Sequence, residues 1–159
     1  MRNVIASLLV IGLLSSSAAA DQARSGGAGK PAIKACSLLS RDLVMKVSGA
    51  VNKAVFDLPP EEEQVGNGSA CDYADIRLQV DPFPWSVLEA SAKKDKTWVP
   101  LSGIGDGAYF QGGRTFAGLI GHVGGRTFTI QMGVPFQSTA EKIKPNVITL
   151  ANAIIPKLK

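Results

Sequence analysis

The sequence predicts an α+β fold, in which an antiparallel sheet of about five strands is packed by an N-terminal helix and a long C-terminal helix. Two observations favour this class. Apolar and polar side chains alternate through residues 126–132, and the motif Gly-Gly-Arg-Thr-Phe occurs at 112–116 and again at 124–128, a spacing typical of antiparallel strands joined by tight glycine turns. The C-terminal segment instead repeats its apolar residues at helical spacing.

The N-terminus has the three regions of a cleavable secretory signal peptide. A positively charged start at Met1 and Arg2 precedes an apolar run at residues 4–14 and small residues at 15–20, so residues 1–20 are the predicted signal, cleaved after Ala20. The run of about 11 residues is too short for the ~20 that a membrane-spanning helix needs. We therefore predict no membrane span and a protein exported to the periplasm or the extracellular space, soluble after cleavage.

Length and composition predict one domain after that signal. The chain has 159 residues, of which 45% are hydrophobic and 19% charged, enough to bury one core. Residues 21–34 are predicted to be a flexible leader, and residues 35–159 the α+β domain. The net charge of +4 is small and its basic residues are scattered, which is typical of a solvated surface and argues against nucleic-acid binding.

Cys36 and Cys71 are the only cysteines. In an exported protein an even pair most simply forms a disulfide. The alternatives are a metal site, which needs more soft ligands than two cysteines and one histidine supply, and a nucleophilic thiol with His122 as its base. The disulfide is the preferred interpretation, and no metal and no cofactor are predicted.

The first elements follow from capping residues and prolines. Ser40 is placed to cap a helix over residues 41–48, which ends before Gly49. Residues 51–56 then have the composition of a strand. Prolines and glutamates follow, and they favour an exposed loop over residues 57–69 because proline interrupts helix interiors and central strands.

Residues 71–80 predict a strand with a bulge or break near Ala74 and Asp75, where the parity of the apolar side chains changes. A second helix is predicted to begin at Pro84. Three strands then form the expected meander, at residues 108–111, 114–122 and 126–132.

The strongest helix signal lies at the C-terminus. A capping box at Ser138 to Glu141 opens a segment with one apolar stripe. Pro145 predicts that this helix either bends there or has its main part beginning near Lys144. The stripe needs an apolar sheet face to cover, and the expected partner is the inward face of residues 126–132. The stripe consists of Ile143, Val147, Leu150, Ile154 and Leu158.

Few residues suggest catalysis. His122 is the only histidine, and a general base normally needs an orienting partner and a nucleophile, so a partly exposed residue at a strand end is the preferred interpretation. The glycine-rich segment 101–109 lacks the context of a phosphate-binding loop and predicts a tight turn in which Asp106 bonds local amides. A carboxylate pair for glycoside hydrolysis stays open. Its candidates are Asp72, Asp75, Asp81 and Glu89.

Several short motifs, taken in order, resemble a family of small exported bacterial proteins of unknown function, best known as cell-envelope lipoproteins of actinobacteria. The likeness covers most of residues 35–158. It implies helices packed on an antiparallel sheet, a cysteine pair that links the first helix region to a strand, and no established enzymatic activity. This chain departs from the pattern because it lacks the lipid-attachment cysteine. The motifs are Cys36-Ser37-Leu38-Leu39-Ser40, Gly49, Cys71-Asp72-Tyr73, residues 103–109 and Ala151-Asn152-Ala153-Ile154-Ile155.

The leading functional hypothesis is a non-catalytic binding module for a partner protein, a lipid or another small apolar ligand, which binds on a sheet face or in a groove beside a helix. Its candidate surface residues, if exposed, are aromatic residues and arginines, because these dominate interface energetics. Alternative hypotheses are an envelope hydrolase that uses His122 or a carboxylate pair, and an inhibitor or immunity protein. The sequence leaves the oligomeric state open. The candidate surface residues are Trp98, Tyr109, Phe110, Arg114 and Arg126. The alternative interpretation places the three aromatic residues in the core and the two arginines on the surface beside turns.

Overall fold

Seven antiparallel strands form one sheet in the computed structural model, which describes residues 31–50 and 52–159. The α+β prediction is confirmed, with seven strands in place of about five. The order across the sheet is β1-β2-β3-β7-β6-β5-β4. The strands are β1 (Glu61–Val65), β2 (Gly68–Tyr73), β3 (Ile76–Val80), β4 (Trp98–Leu101), β5 (Gly107–Gly112), β6 (Phe116–Val123) and β7 (Arg126–Gly133). The helices are α1 (Arg41–Val47), α2 (Trp85–Lys94) and α3 (Ala140–Leu158), with 3-10 turns at Ala35–Leu38 and Lys53–Asp57.

The core lies between α3 and one face of the sheet. α3 contacts β5, β6 and β7, and its predicted apolar stripe is buried along its whole length. The opposing side chains of β7 are fully buried, so the predicted pairing of stripe and sheet face is confirmed. Alternation along each strand sends the intervening side chains to the other face, where α2 lies. The opposing side chains of β7 are Phe128, Ile130 and Met132.

The helix caps agree with the sequence at one helix and differ at the other. The hydroxyl of Ser40 accepts a hydrogen bond from the Leu43 amide, as predicted. At α3 the predicted Ser138 cap is wrong by one residue, because Thr139 accepts from the Lys142 amide. The Ser138 amide instead donates to the Pro135 carbonyl in a turn. The helix begins at Ala140 and continues through Pro145.

Two predictions for residues 51–69 are wrong. The predicted strand at 51–56 is a 3-10 turn, Lys53–Asp57, which begins where the Asn52 side chain accepts from the Ala54 amide; Val51 lies outside the described residues. The predicted loop at 57–69 contains β1. β1 pairs with β2 alone at an edge of the sheet, where glutamate side chains remain in water and need no apolar alternation. The prolines precede the strand and do not interrupt it.

The predicted break near Ala74 is the turn of the β2–β3 hairpin. Ala74 has a φ of 56°, in the left-handed region. The Asp75 carboxylate accepts hydrogen bonds from the Ser48 hydroxyl and from the Gly49 amide. The turn is therefore tied to the end of α1.

Cys36 and Cys71 form the predicted disulfide, which joins the turn at Ala35–Leu38 to β2. The Glu62 carboxylate reinforces this junction, because it accepts 2.8 Å hydrogen bonds from the amides of Ala35 and Cys36. One of the three glutamates that open β1 thus anchors the N-terminal turn to this strand.

Gly121 marks a place where the core has no spare volume. It pairs across the sheet with Phe128, and an alanine Cβ there would lie 2.6 Å from Phe128 Cζ, inside van der Waals contact. Phe128 is fully buried and cannot swing into solvent. We expect Gly121→Ala to lower the free energy of unfolding by about 1–3 kcal/mol in urea titrations.

Gly107→Ala is the matched control, because its Cβ would meet Trp85 at an ordinary 3.4 Å. It should leave the unfolding free energy nearly unchanged. Shortening the ring by Phe128→Leu should cost less in the Gly121→Ala background than in the wild type, since both changes act on one contact. Strict additivity, or equal losses at the two glycines, would contradict the packing explanation.

Candidate functional site

The five candidate surface residues do not form one surface. Phe110 is 1% exposed and faces the α3 side, while Arg126 is 5% exposed. Trp98 and Tyr109 are half-buried, and their positions in β4 and β5 place them on the opposite face from Phe110. Only Arg114 of the five is exposed. The binding hypothesis required exposed side chains, so Phe110 and Arg126 are excluded from the candidate surface.

A cleft of about 320 Å³ lies instead at one end of the sheet, where the β1–β2 turn, the β3–α2 connection and the β6–β7 turn meet. We call it the His122 cleft. Its volume is near the lower bound of the range of small-molecule sites. The lining residues are Asn67, Asp81, Phe83, Pro84, Trp85, His122, Gly125 and Thr127.

His122 and Trp85 form the floor of this cleft as a stacked pair. Their ring centroids are 4.5 Å apart and their planes differ by 13°. His122 is near the end of β6, between Gly107 of β5 and Thr127 of β7, and Trp85 is the first residue of α2. Gly107 has no side chain, and a Cβ there would lie 3.4 Å from Trp85 Cζ2 and 3.5 Å from His122 Nδ1, so the bare backbone of β5 lies beside both stacked rings.

The Nδ1 atom of His122 is buried and has no hydrogen-bond partner among the described residues. In a catalytic histidine this nitrogen is commonly held by a carboxylate, which orients the ring and stabilises the imidazolium. The contacts of His122 therefore give no support to the hydrolase hypothesis. His122 does lie near a strand end and is partly exposed, the position that the sequence favoured.

Asp81 forms the wall of the cleft in a constrained backbone conformation. Its φ is 51°, a left-handed value that costs a non-glycine residue free energy and that occurs often at binding sites. Three contacts hold it: its amide donates to the Thr127 carbonyl, and its carboxylate accepts from the Thr127 amide at 2.9 Å and from Arg126 Nη1 at 2.6 Å. The second nitrogen of Arg126, Nη2, donates to the Pro31 carbonyl. The last residues of the predicted leader thus join the fold beside the cleft.

Phe83 supplies the exposed apolar group of the cleft. Its side chain is 52% exposed, while its carbonyl accepts from the Thr127 hydroxyl at 2.8 Å. The sequence interpretation missed Phe83 as a site residue. A usable signal was present in Asp81-Pro82-Phe83-Pro84-Trp85, because two prolines restrict the backbone on both sides of an aromatic residue and fix where it points.

α2 is attached mainly at its two ends, since Ala92 is its only fully buried residue. At its C-terminus the Asp95 carboxylate accepts from the Thr97 amide and hydroxyl and from Gln111 of β5. The Thr97 amide, with help from its hydroxyl, holds the pKa of Asp95 below its ordinary value. At the N-terminus the Trp85–His122 stack attaches the helix to β6. The cleft is therefore bounded by a helix with few buried anchors.

The candidate carboxylates for glycoside hydrolysis all have partners. Asp72 pairs with Arg77, which also pairs with Glu63, and Glu89 pairs with Lys93 at 3.0 Å. Asp75 is held by the end of α1, and Asp81 by Arg126. The strand β3 lies between Asp75 and Asp81, and the six residue steps from one to the other separate them by roughly 20 Å. No contact selects two of these groups as an acid and base.

The sequence predicted that Asp106 bonds local amides, but its carboxylate bonds a distant one. Its carboxylate accepts from the Gly124 amide at 2.7 Å, in the turn between β6 and β7, and its own amide donates to the His122 carbonyl. The prediction was wrong because the antiparallel meander brings these two turns together, which local sequence does not show. Within the described ranges, no group of three His, Cys, Asp or Glu side chains could hold a metal ion.

Comparisons with protein-family models, curated proteins and solved structures found no match. The resemblance to actinobacterial envelope lipoproteins therefore stays a prediction, as do the hydrolase and inhibitor hypotheses. Across residues 31–50 and 52–159, no helix has the length and apolar character needed to cross a membrane.

Proposed function

We propose that this protein is a non-catalytic binding module of the exported compartment, and that the His122 cleft binds a small apolar ligand with a planar ring. The observation that carries the proposal is the half-exposed Phe83 beside the stacked Trp85–His122 pair, across a cleft of about 320 Å³. Small-molecule sites commonly combine apolar and aromatic walls with a few placed polar groups. Here the polar groups are Asn67, Asp81 and Thr127.

The walls support binding because they are held in place before any ligand arrives. The Thr127 hydroxyl fixes the backbone at Phe83, and three hydrogen bonds hold Asp81 against its own backbone preference. Ordered walls lower the entropy lost on binding. A cleft of this size fits one ring with a short substituent.

Export is supported by two observations. The signal pattern occupies residues 1–20, which lie outside the described residues. The Cys36–Cys71 bond is of the kind that persists in oxidising compartments and is rare in the reducing cytosol. We propose the periplasm or the extracellular space as the place of action.

The experiment is a titration of the ¹⁵N-labelled mature chain with indole, phenol and acetophenone, followed by amide chemical shifts. Binding in the cleft should move the amide signals of Asp81, Phe83 and Trp85 and those of residues 122–127. Phe83→Ala should weaken the affinity by on the order of 1–2 kcal/mol, roughly five- to thirtyfold, because it removes the exposed apolar wall.

Phe136→Ala is the matched control. Phe136 is 93% exposed and lies in the loop after β7, at the opposite end of the sheet from the cleft. Its removal should leave the affinity unchanged. The proposal fails if no probe moves the cleft amides, or if Phe83→Ala binds the probes as tightly as the wild type.

A further inference from the structure

We infer that the ligand of the His122 cleft is neutral and carries a hydrogen-bond acceptor next to its ring, which accepts from the Nε2–H group of His122. This inference rests on the proposed function and specifies the ligand class of the same site. It is carried by three features: the buried Nδ1 of His122, the stack with Trp85, and the pairing of the one charged lining residue.

The burial of Nδ1 decides which nitrogen holds the proton of the neutral imidazole. Nδ1 is buried and has no partner among the described residues. A proton on that atom would create a buried N–H group without an acceptor, which is rarer and less favourable in proteins than an under-used acceptor. The neutral ring therefore holds its proton on Nε2. Because Nδ1 is the buried nitrogen of a residue that lines the cleft, we place Nε2 toward the cleft.

The packing of the imidazole sets the direction of its Nε2–H bond. The ring is stacked on the indole of Trp85 with centroids 4.5 Å apart, and the bare backbone of Gly107 lies beside both rings, since a Cβ there would be 3.4 Å from Trp85 Cζ2 and 3.6 Å from His122 Cε1. A ring stacked in this way has little freedom to rotate. The Nε2–H bond consequently points in one direction in the empty cleft, and a ligand acceptor meets a donor that is already oriented.

The charge distribution around the cleft favours a neutral ligand. Asp81 is the one charged residue among those that line the cleft, and its two oxygens accept from Arg126 and from the Thr127 amide. An anionic ligand would lie beside this carboxylate with no cation of its own, and a cationic ligand would compete with Arg126 for it. Both are disfavoured, so a carbonyl or ether oxygen on an uncharged ring compound fits the site best.

The proton position is tested in the free protein. A two-bond ¹H–¹⁵N correlation spectrum of the ¹⁵N-labelled chain, recorded where the imidazole is neutral, distinguishes a protonated Nε2 from a protonated Nδ1. The expected result is the Nε2–H tautomer. The Nδ1–H tautomer would overturn the inference and leave the proposed function standing, because this measurement involves no ligand.

The ligand class is tested with three matched probes. Acetophenone carries a neutral acceptor, α-methylstyrene replaces its carbonyl oxygen with a CH₂ group, and benzoate is an anion. His122→Phe keeps a ring on Trp85 and removes the donor. The preference for acetophenone over α-methylstyrene should fall roughly two- to tenfold in His122→Phe relative to the wild type, the loss of one hydrogen bond. Benzoate should bind more weakly than acetophenone to the wild type.

The outcomes separate the two proposals. If both neutral probes depend on Phe83 but their affinity ratio is the same in the wild type and in His122→Phe, the cleft binds rings and the acceptor inference is wrong. Tighter binding of benzoate than of acetophenone also overturns it. If no probe binds, the proposed function fails and the inference fails with it. Should His122→Phe not fold, the tautomer measurement on the wild type still decides whether Nε2 holds the proton that the inference requires.

Discussion

Replacing both Cys36 and Cys71 by alanine is expected to lower the free energy of unfolding by about 3–4 kcal/mol. The disulfide joins residues 35 positions apart, and closing a loop of that length restricts the unfolded chain by about 3.8 kcal/mol in the chain-entropy model. This is a large part of the ~5–15 kcal/mol that stabilises an ordinary domain. The fold itself should persist, because β2 remains paired on both sides.

Urea titrations of the oxidised wild type, the reduced wild type and the double alanine variant measure the effect. The two forms without the bond should unfold at similar, lower urea concentrations. Glu62→Ala is a useful comparison, because Glu62 holds the amides of Ala35 and Cys36 next to the disulfide. Its cost should be smaller and should remain when the bond is absent. Equal stability of the oxidised and reduced wild type would contradict the prediction.

The regular part of the fold was predictable because its side chains have one strong period. In β7 the alternation of Phe128, Ile130 and Met132 with polar residues matches one fully buried face and one that is only partly covered. In α3 the three- and four-residue spacing matches a single buried stripe. Burial of each element dictates these patterns locally, so a single sequence contains them.

β1 and the cleft were not predictable for the opposite reason. The glutamates of β1 satisfy an edge strand without any alternation, so nothing in their pattern distinguishes a strand from a loop. The Trp85–His122 stack joins residues that are 37 positions apart and depends on the strand order, which places β6 beside α2. Each residue could be placed on its own element, at a helix start and at a strand end, but local sequence does not contain their contact.

The sequence indicated the burial of Arg126 but not the residues that it contacts. As a residue next to a turn it was expected on the surface, and aromatic and arginine residues are common in interfaces, so it entered the candidate surface. Yet it has the same parity in β7 as Phe128, which places it on the α3 side of the sheet. The alternation along β7 therefore indicated a buried Arg126, whereas its position next to a turn suggested an exposed one. What parity could not supply is the partner, since Asp81 and Pro31 come from distant parts of the chain.

Arg126→Ala is accordingly expected to destabilise the fold, not to weaken binding alone. The Arg126 side chain is 6% exposed, and its loss leaves the Asp81 carboxylate and the Pro31 carbonyl without their cation. Breaking a fully buried pair from one side costs about 3–5 kcal/mol. Asp81 is 30% exposed and keeps the Thr127 amide, so we expect a lower value, about 2–4 kcal/mol, in urea titrations.

Arg114→Ala is the matched control, because Arg114 is exposed and should change the unfolding free energy by less than about 0.5 kcal/mol. Arg126→Lys retains the charge but lacks the forked guanidinium that contacts Asp81 and Pro31 together, so it should recover only part of the loss. Hydrogen exchange at the amides of Asp81 and Thr127 should quicken in Arg126→Ala, since Asp81 then loses a contact that offsets its left-handed backbone. Equal stabilities of Arg126→Ala and Arg114→Ala would show that this ion pair does not hold the cleft wall.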